Sequence, residues 1–356
     1  MKSILLASAS IVAFAGAAAA EVTFSGSAEF GYNDTDLDGA ATDDSDGFYW
    51  SSDITLALSQ PLNNGLTASV GVGIDLSDGD LGSPLSASDF VLSLTSENSG
   101  LYFGATDTAA GLHYTAAVSG MDNDGFTSDT DNPVVRGDIT YGGVSASVSL
   151  IVNQDDPSET DQLSVGASGS FGNFTFGVGY QEEADGGFEA NDDFEGDGIF
   201  AVEVGTTFAG AAVTLAYAQD QTTDTDSIGV AASYTFGMVT VGAYYAMQDA
   251  GDNYGISADY ANGPITVGVY YDVEDGADDD WGIEGSYDVG NGITAYAGVV
   301  DAGEDFYVAG NIGLGESSSL LISYAEDGDG DEAAGDDDIG ANDYHVGTTV
   351  AVTFEF

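Results

Sequence analysis

From Gly143 to Val152 the chain reads Gly-Val-Ser-Ala-Ser-Val-Ser-Leu-Ile-Val. Val144, Ala146, Val148, Leu150 and Val152 fall on one face of an extended chain, and Ser145, Ser147 and Ser149 on the other. Successive side chains of a strand point to opposite faces, so this period of two predicts a strand and not a helix. The pattern returns in Phe174-Thr-Phe-Gly-Val-Gly-Tyr180, Val239-Thr-Val-Gly-Ala-Tyr244 and Ile265-Thr-Val-Gly-Val-Tyr270. Behind each apolar face stand chiefly Gly, Ser, Thr or Ala, which a globular sandwich with one shared core does not call for.

Tight, nearly uncharged connections separate the runs: Asn63-Asn64-Gly65, Asn98-Ser99-Gly100, Gly142-Gly143, Phe171-Gly172-Asn173, Ala209-Gly210, Gly237, Asn262-Gly263, Gly290-Asn291-Gly292 and Gly315 to Ser318. Asn-Gly and Gly-rich pairs supply the positive φ that two-residue hairpins need. Between them lie aspartate-rich connections, at Asn33 to Gly47, Asp155 to Asp161, Gln181 to Asp197, Asp272 to Asp280 and Glu326 to Asp343. Strands of ~10 residues with short turns at one end and long polar loops at the other describe a bacterial outer-membrane barrel. Lipid offers backbone groups no partners, so a closed barrel is the one β-structure able to span it. Nine tight turns give nine hairpins, and Val22–Tyr32 and Tyr344–Phe356 add a strand each, for about twenty strands. The expected fold is all-β: a closed antiparallel transmembrane barrel of even strand number, with short periplasmic turns and long acidic extracellular loops.

Composition agrees and closes other classes. The 356 residues carry 61 Asp+Glu against 2 Lys+Arg, a formal charge of −59. Disordered acidic chains lack apolar content, whereas this one is 43% hydrophobic with 19 Tyr and 18 Phe. Its mean hydropathy of +0.01 implies apolar residues spread evenly along the chain. Neutralising phosphates takes Lys and Arg, so nucleic acid is excluded as a partner. Without cysteine there is neither a disulfide framework nor a thiolate metal site. With His113 and His345 the two histidines and Lys2 the one lysine, triad chemistry and phosphate-loop chemistry lack their materials. No enzymatic activity and no cofactor are expected.

The N-terminus, MKSILLASASIVAFAGAAAA, has one cation, an apolar run from Ile4 to Ala15 and small residues at Ala18 to Ala20. That is the pattern of a secretory signal peptide over 1–20, leaving a barrel domain of 21–356. After cleavage Arg136 is the one Lys or Arg left.

Several short motifs resemble a known family: Glu21-Val-Thr-Phe-Ser-Gly26, Leu101-Tyr-Phe-Gly-Ala-Thr-Asp107, Asp131-Asn-Pro-Val134, Tyr234-Thr-Phe-Gly237 and Val352-Thr-Phe-Glu-Phe356. Together they span nearly all of 21–356 and are similar to the general (non-specific) porins of Gram-negative bacteria, in their alphaproteobacterial form. The resemblance implies a homotrimer of barrels in outer-membrane lipid and lipopolysaccharide, each barrel with its own pore. It also implies a third extracellular loop folded inward as a constriction, and a terminal aromatic read by the outer-membrane assembly machinery. The family template has sixteen strands and sets loop acids against a wall of arginines. This chain departs on both counts, counting about four more strands and offering only Arg136.

The inward loop then corresponds to 106–132, with Asp107, Asp122, Asp124, Asp129, Asp131 and His113. Rings of carboxylates favour cations in a pore. On Val134 to Tyr141, the apolar Val135, Ile139 and Tyr141 leave Arg136 and Asp138 facing the lumen, where Arg136 pairs with Asp138 or tethers the loop through a carboxylate. In the last strand Val346, Thr348, Val350, Val352, Phe354 and Phe356 share the lipid face, and the resemblance makes Phe354 and Phe356 the expected assembly signal. Asp327-Gly-Asp-Gly-Asp-Glu332 lacks the sixth-position glycine of a calcium loop, so Asp327, Asp329 and Asp331 collect Ca²⁺ or Mg²⁺ diffusely and not at a specific metal site. The expected function is passive diffusion of cations and small hydrophilic solutes. The rivals are a substrate-selective channel, a non-conducting structural or adhesive surface barrel, and a secreted acidic β-solenoid.

Overall fold

A computed structural model of the chain describes residues 20–34, 47–78, 86–121, 125–126, 132–154, 160–182, 198–249, 251–328 and 338–356. The signal peptide at 1–20, Ala20 apart, lies outside the described residues, as do Asp122, Asp124, Asp129, Asp131, Asp329 and Asp331.

The strands run β1 (Glu21–Asp34), β2 (Gly47–Pro61), β3 (Thr67–Asp78), β4 (Ser86–Thr95) and β5 (Ser99–Gly104), followed by a single helical turn, α1 (Ala109–His113). Next come β6 (Val134–Tyr141), β7 (Val144–Val152), β8 (Thr160–Phe171), β9 (Phe174–Glu182), β10 (Gly198–Phe208), β11 (Ala211–Asp220) and β12 (Thr225–Phe236). The second half holds β13 (Val239–Gln248), β14 (Asp252–Asn262), β15 (Ile265–Val273), β16 (Asp280–Gly290), β17 (Ile293–Val300), β18 (Asp305–Gly313) and β19 (Ser318–Glu326). A short ladder of β20 (Asp338–Ile339) and β21 (Tyr344–His345) precedes the last strand, β22 (Gly347–Glu355).

Among the described residues, β1 to β19 and β22 form one 20-stranded antiparallel sheet, and β22 pairs with both β19 and β1. The ring is closed, with no edge left to lipid. The count from turn chemistry therefore holds, and the sixteen-strand template does not. Faces stay in phase all the way round. Thr349 of β22 sits opposite Asn33 of β1, and its Oγ1 donates to Asn33 Oδ1 at 3.0 Å inside the barrel. A slip of one residue would turn every inner side chain outward.

The outer face explains the alternation. Val148, Val204, Leu215, Val230, Ile256 and Ile283 are all exposed on it. At the tight-turn end stand Tyr141, Phe171, Phe208, Phe236 and Phe356, and at the other end Phe30, Phe48, Tyr245, Tyr254 and Tyr271. An apolar band between two aromatic girdles is a surface built for lipid.

Two sequence expectations are refined. The aspartate-rich end is not uniformly long-looped: β11–β12, β13–β14, β15–β16 and β17–β18 close within the short stretches 221–224, 249–251, 274–279 and 301–304. The last strand also starts later than expected. Gly347, at φ +97°, breaks the extended run. Val346, expected on the lipid face, is therefore turned inward and is only 5% exposed. Thr348, Val350 and Phe354 do face outward.

Candidate functional site

Along β7 to β13 the inner wall is built from small residues: Ser147 and Ser149, Ser164 and Gly166, Gly177, Ala201, Ala216, Gly229 and Ala246 share the inward register. Small side chains leave a trough, and the segment Thr106 to Met121, which follows β5, lies in it as a strap. The Ala109 N–H donates to Ser149 Oγ and the Ala110 N–H to Ser164 Oγ, each at 2.8 Å. Thr108 Oγ1 donates to Gln181 Oε1 at 2.8 Å. A Cβ on Gly166 would fall on the Ala109 carbonyl oxygen, and one on Gly177 would lie 2.5 Å from the His113 carbonyl oxygen. Beyond the helical turn, Glu203 accepts from the Thr115 hydroxyl at 2.7 Å and from the Ala117 N–H at 3.3 Å. Tyr114, Val118 and Met121 then pack on Ala201, Ala216, Ala218 and Ala246. Asn253 Nδ2 closes the far end on the Gly120 carbonyl at 2.9 Å.

Arg136 secures the near end. Its Nη1 donates to Thr106 Oγ1 at 2.8 Å and to the Asp107 carbonyl at 2.6 Å, while Nε donates to Asp138 at 3.0 Å. The guanidinium lies 4.9 Å above the Tyr102 ring centroid and is only 6% exposed. So Arg136 does tether the strap, but through a hydroxyl and a backbone carbonyl where the sequence suggested a carboxylate. Asp107 lends its carbonyl and leaves its carboxylate exposed. Of the expected site residues, Asp107, Arg136 and Asp138 meet at this root. Phe354 and Phe356 lie at the opposite end of the barrel, and Asp327 follows β19 at the loop end.

Further carboxylates share the inward register away from the strap. Asp53 and Asp75 stand directly opposite each other on β2 and β3, and the Ser27 hydroxyl donates to Asp53. Glu29 accepts from Thr353 Oγ1 at 3.4 Å. Asp259, Asp272 and Glu284 line β14, β15 and β16. Sequence reading placed Asp272 at the start of a loop, where the structure has it within β15, and passed over the others and Glu203. The signal was a lone acid in the small-residue phase of an alternating strand, as in Ala201-Val-Glu-Val-Gly205. Among the described residues no three His, Asp or Glu side chains are grouped to hold a metal ion.

His113 belongs to the strap, not to a spanning strand. Nδ1 lies 2.8 Å from Ser168 Oγ and Nε2 2.8 Å from Ser147 Oγ. Burial pushes its pKa below the ordinary 6.5, Asp138 pulls it up, and Arg136 pushes it down. A depressed histidine pKa means that the displaced state binds the proton better. The docked strap therefore keeps its full stability above pH 6.5 and loses it as pH falls through the window beneath. Protease cleavage of the strap is expected to rise as pH falls below 6.5, and His113→Gln to flatten that rise. An equal rise in both proteins would take His113 out of the effect.

The sequence matches a family model described as Gram-negative porin over residues 7–305. No curated protein matches it. Among solved structures, two engineered variants of the Rhodopseudomonas blastica porin are similar, each 16% identical over 94% of this chain and 100% of its own, with TM-scores of 0.50 and 0.49. At that identity the likeness concerns the fold alone.

Proposed function

The chain belongs to the Gram-negative porin family, and on that premise we propose a water-filled outer-membrane channel that prefers cations and passes small hydrophilic solutes by size. One observation carries the preference, namely the sign of the inner wall. Glu29, Asp53, Asp75, Asp259, Asp272 and Glu284 face inward, while the one arginine is buried against Asp138. Carboxylates in a lumen walled by low-dielectric material concentrate cations and repel anions. Charge on the acidic loops adds to this at the mouth, before an ion enters.

The test is the zero-current potential across a tenfold KCl gradient, at low and then high mean concentration. A strong K⁺ preference is expected at low salt. It should shrink as the screening length falls from ~30 Å at 0.01 M to ~3 Å at 1 M. An anion-selective sign at low salt, or no conductance, would overturn the reading.

The rest of the proposal concerns assembly. The leader over 1–20 directs export, and barrels associate as a homotrimer among lipopolysaccharide, whose phosphates the acidic loops approach through Ca²⁺ or Mg²⁺. Phe356 ends the chain at the tight-turn girdle, 68% exposed, with its N–H on the Gly26 carbonyl at 2.9 Å. Deleting it removes both a closing rung and a lipid-facing ring. Most heat-modifiable protein is then expected to disappear from the outer membrane, and normal yield would reject the assembly role.

A further inference from the structure

We infer that Asp338 to Val346 forms a second lumen-narrowing element on the wall facing the strap, and that Glu284 is the residue that positions it. The inference rests on the channel reading above and adds to it a determinant of pore width.

The segment folds as a small hairpin. Asp338 pairs with His345 and Ile339 with Tyr344, and the Asp343 N–H closes the tip on the Gly340 carbonyl at 3.0 Å. Its underside is apolar and almost sealed, with Ile339, Tyr344 and Val346 at 1%, 3% and 5% exposure. They pack on Val300, Tyr307 and Ala325, which share the inward register of β17, β18 and β19. The Tyr307 and Tyr344 ring centroids are 4.7 Å apart. With three large side chains sealed beneath it, the base of the hairpin stays on the wall. Its tip residues Ala341, Asn342 and Asp343 remain exposed.

Two polar pins fix the hairpin in place. Glu284 Oε1 accepts from the Tyr307 hydroxyl at 2.8 Å and from the Ala341 N–H at 3.0 Å. Asn33 Nδ2 donates to the Val346 carbonyl at 3.0 Å, and Thr349 holds that amide in turn. The ring of His345 meets Tyr49 edge-on at 5.7 Å. The hairpin therefore covers the wall from β16 through β19 and β22 to β2, whereas the strap covers β7 to β14. In a closed ring of twenty strands these stretches lie nearly halfway round from each other. Both inserts leave the same end of the barrel, one after β5 and the other after β19. Among the described residues, the pair of them sets the open cross-section.

Single-channel conductance tests this. Glu284→Ala removes the shared acceptor and leaves the tip held only by its apolar underside, so at 1 M KCl, where wall charge is screened, conductance is expected to rise as the tip swings aside. Glu284→Gln keeps an acceptor oxygen for both donors but loses a wall charge, so it should lack the rise of Glu284→Ala at 1 M KCl while its cation preference at low salt falls. Equal conductance in the two variants would remove Glu284 from the positioning role. The chain has no cysteine, so Ala341→Cys offers a single thiol at the tip and keeps the N–H that Glu284 accepts. A bulky methanethiosulfonate reagent should lower the conductance of Ala341→Cys and leave the parent untouched. An Ala341→Cys channel indifferent to the reagent would overturn the second constriction, even if Glu284→Ala fails to assemble. A parent protein that does not conduct would overturn the channel reading, and this inference with it.

Discussion

Arg136→Met should free the root of the strap and raise open-channel noise severalfold. The substitution keeps the apolar stem and deletes four contacts at once: Asp138, the Thr106 hydroxyl, the Asp107 carbonyl and the face of Tyr102. Asp138 then stands without its cation on a wall where its side chain is only 24% exposed. Leaving buried polar groups unsatisfied costs about 1–3 kcal/mol, and partial access to water keeps this case toward the lower end. Arg136→Lys should recover only part of the loss, because an ammonium lacks the planar fork that serves carboxylate, hydroxyl and carbonyl together. Adding Asp138→Leu to Arg136→Met removes the orphaned carboxylate. Thermal stability should then partly return while the noise stays high, since nothing holds Thr106 and Asp107. If the double variant restores a quiet channel, Arg136 acts through its pair with Asp138 and not as a tether.

The features legible in the sequence are those that local chemistry encodes. Nine Gly- or Asn-bearing turns mark nine hairpins, and each is present between the strands it was expected to join. The twenty-strand count follows from them because positive-φ chemistry depends on the turn itself and not on distant partners. Lumen placement of Arg136 and Asp138 follows equally from Val135, Ile139 and Tyr141 taking the other face. What stayed hidden depends on contacts made across the barrel. The run from Glu326 to Asp343 reads as a long acidic loop by composition, and Tyr344 as the start of the last strand. The two nevertheless join in an inward hairpin, because Ile339 and Tyr344 find Tyr307 and Val300 on strands tens of residues away. Likewise a backbone carbonyl has no signature in sequence, so the acceptor at Asp107 could not be told from a carboxylate. The small residues on the inner wall were visible as a pattern, but their purpose appears only once the strap lies over them.

That purpose supplies the other large effect. Gly166→Val should dislodge the strap more thoroughly than any change in the strap itself. The Cβ alone would occupy the place of the Ala109 carbonyl oxygen and lie 2.9 Å from the His113 ring. Neither neighbour has room to move: Ala109 is held by Ser149, and His113 by Ser147 and Ser168. Overpacking a well-filled site costs about 1–3 kcal/mol, and a barrel with its full ladder of backbone bonds resists deformation more than a strap held by a few contacts. The strap is the part that gives way. Gly177→Val should act in the same sense, through the His113 carbonyl. Gly71→Val is the control, because it adds equal volume on the inner face of β3 where nothing lies within 4 Å. The readout is chymotrypsin in detergent, at Tyr114, which is only 4% exposed while the strap is docked. Gly166→Val and Gly177→Val should be cut there within the time that the parent and Gly71→Val survive intact, with all four remaining heat-modifiable barrels. If Tyr114 stays protected in Gly166→Val, the wall and not the strap has yielded, and the strap is then a fixed part of the barrel and not a separable insert.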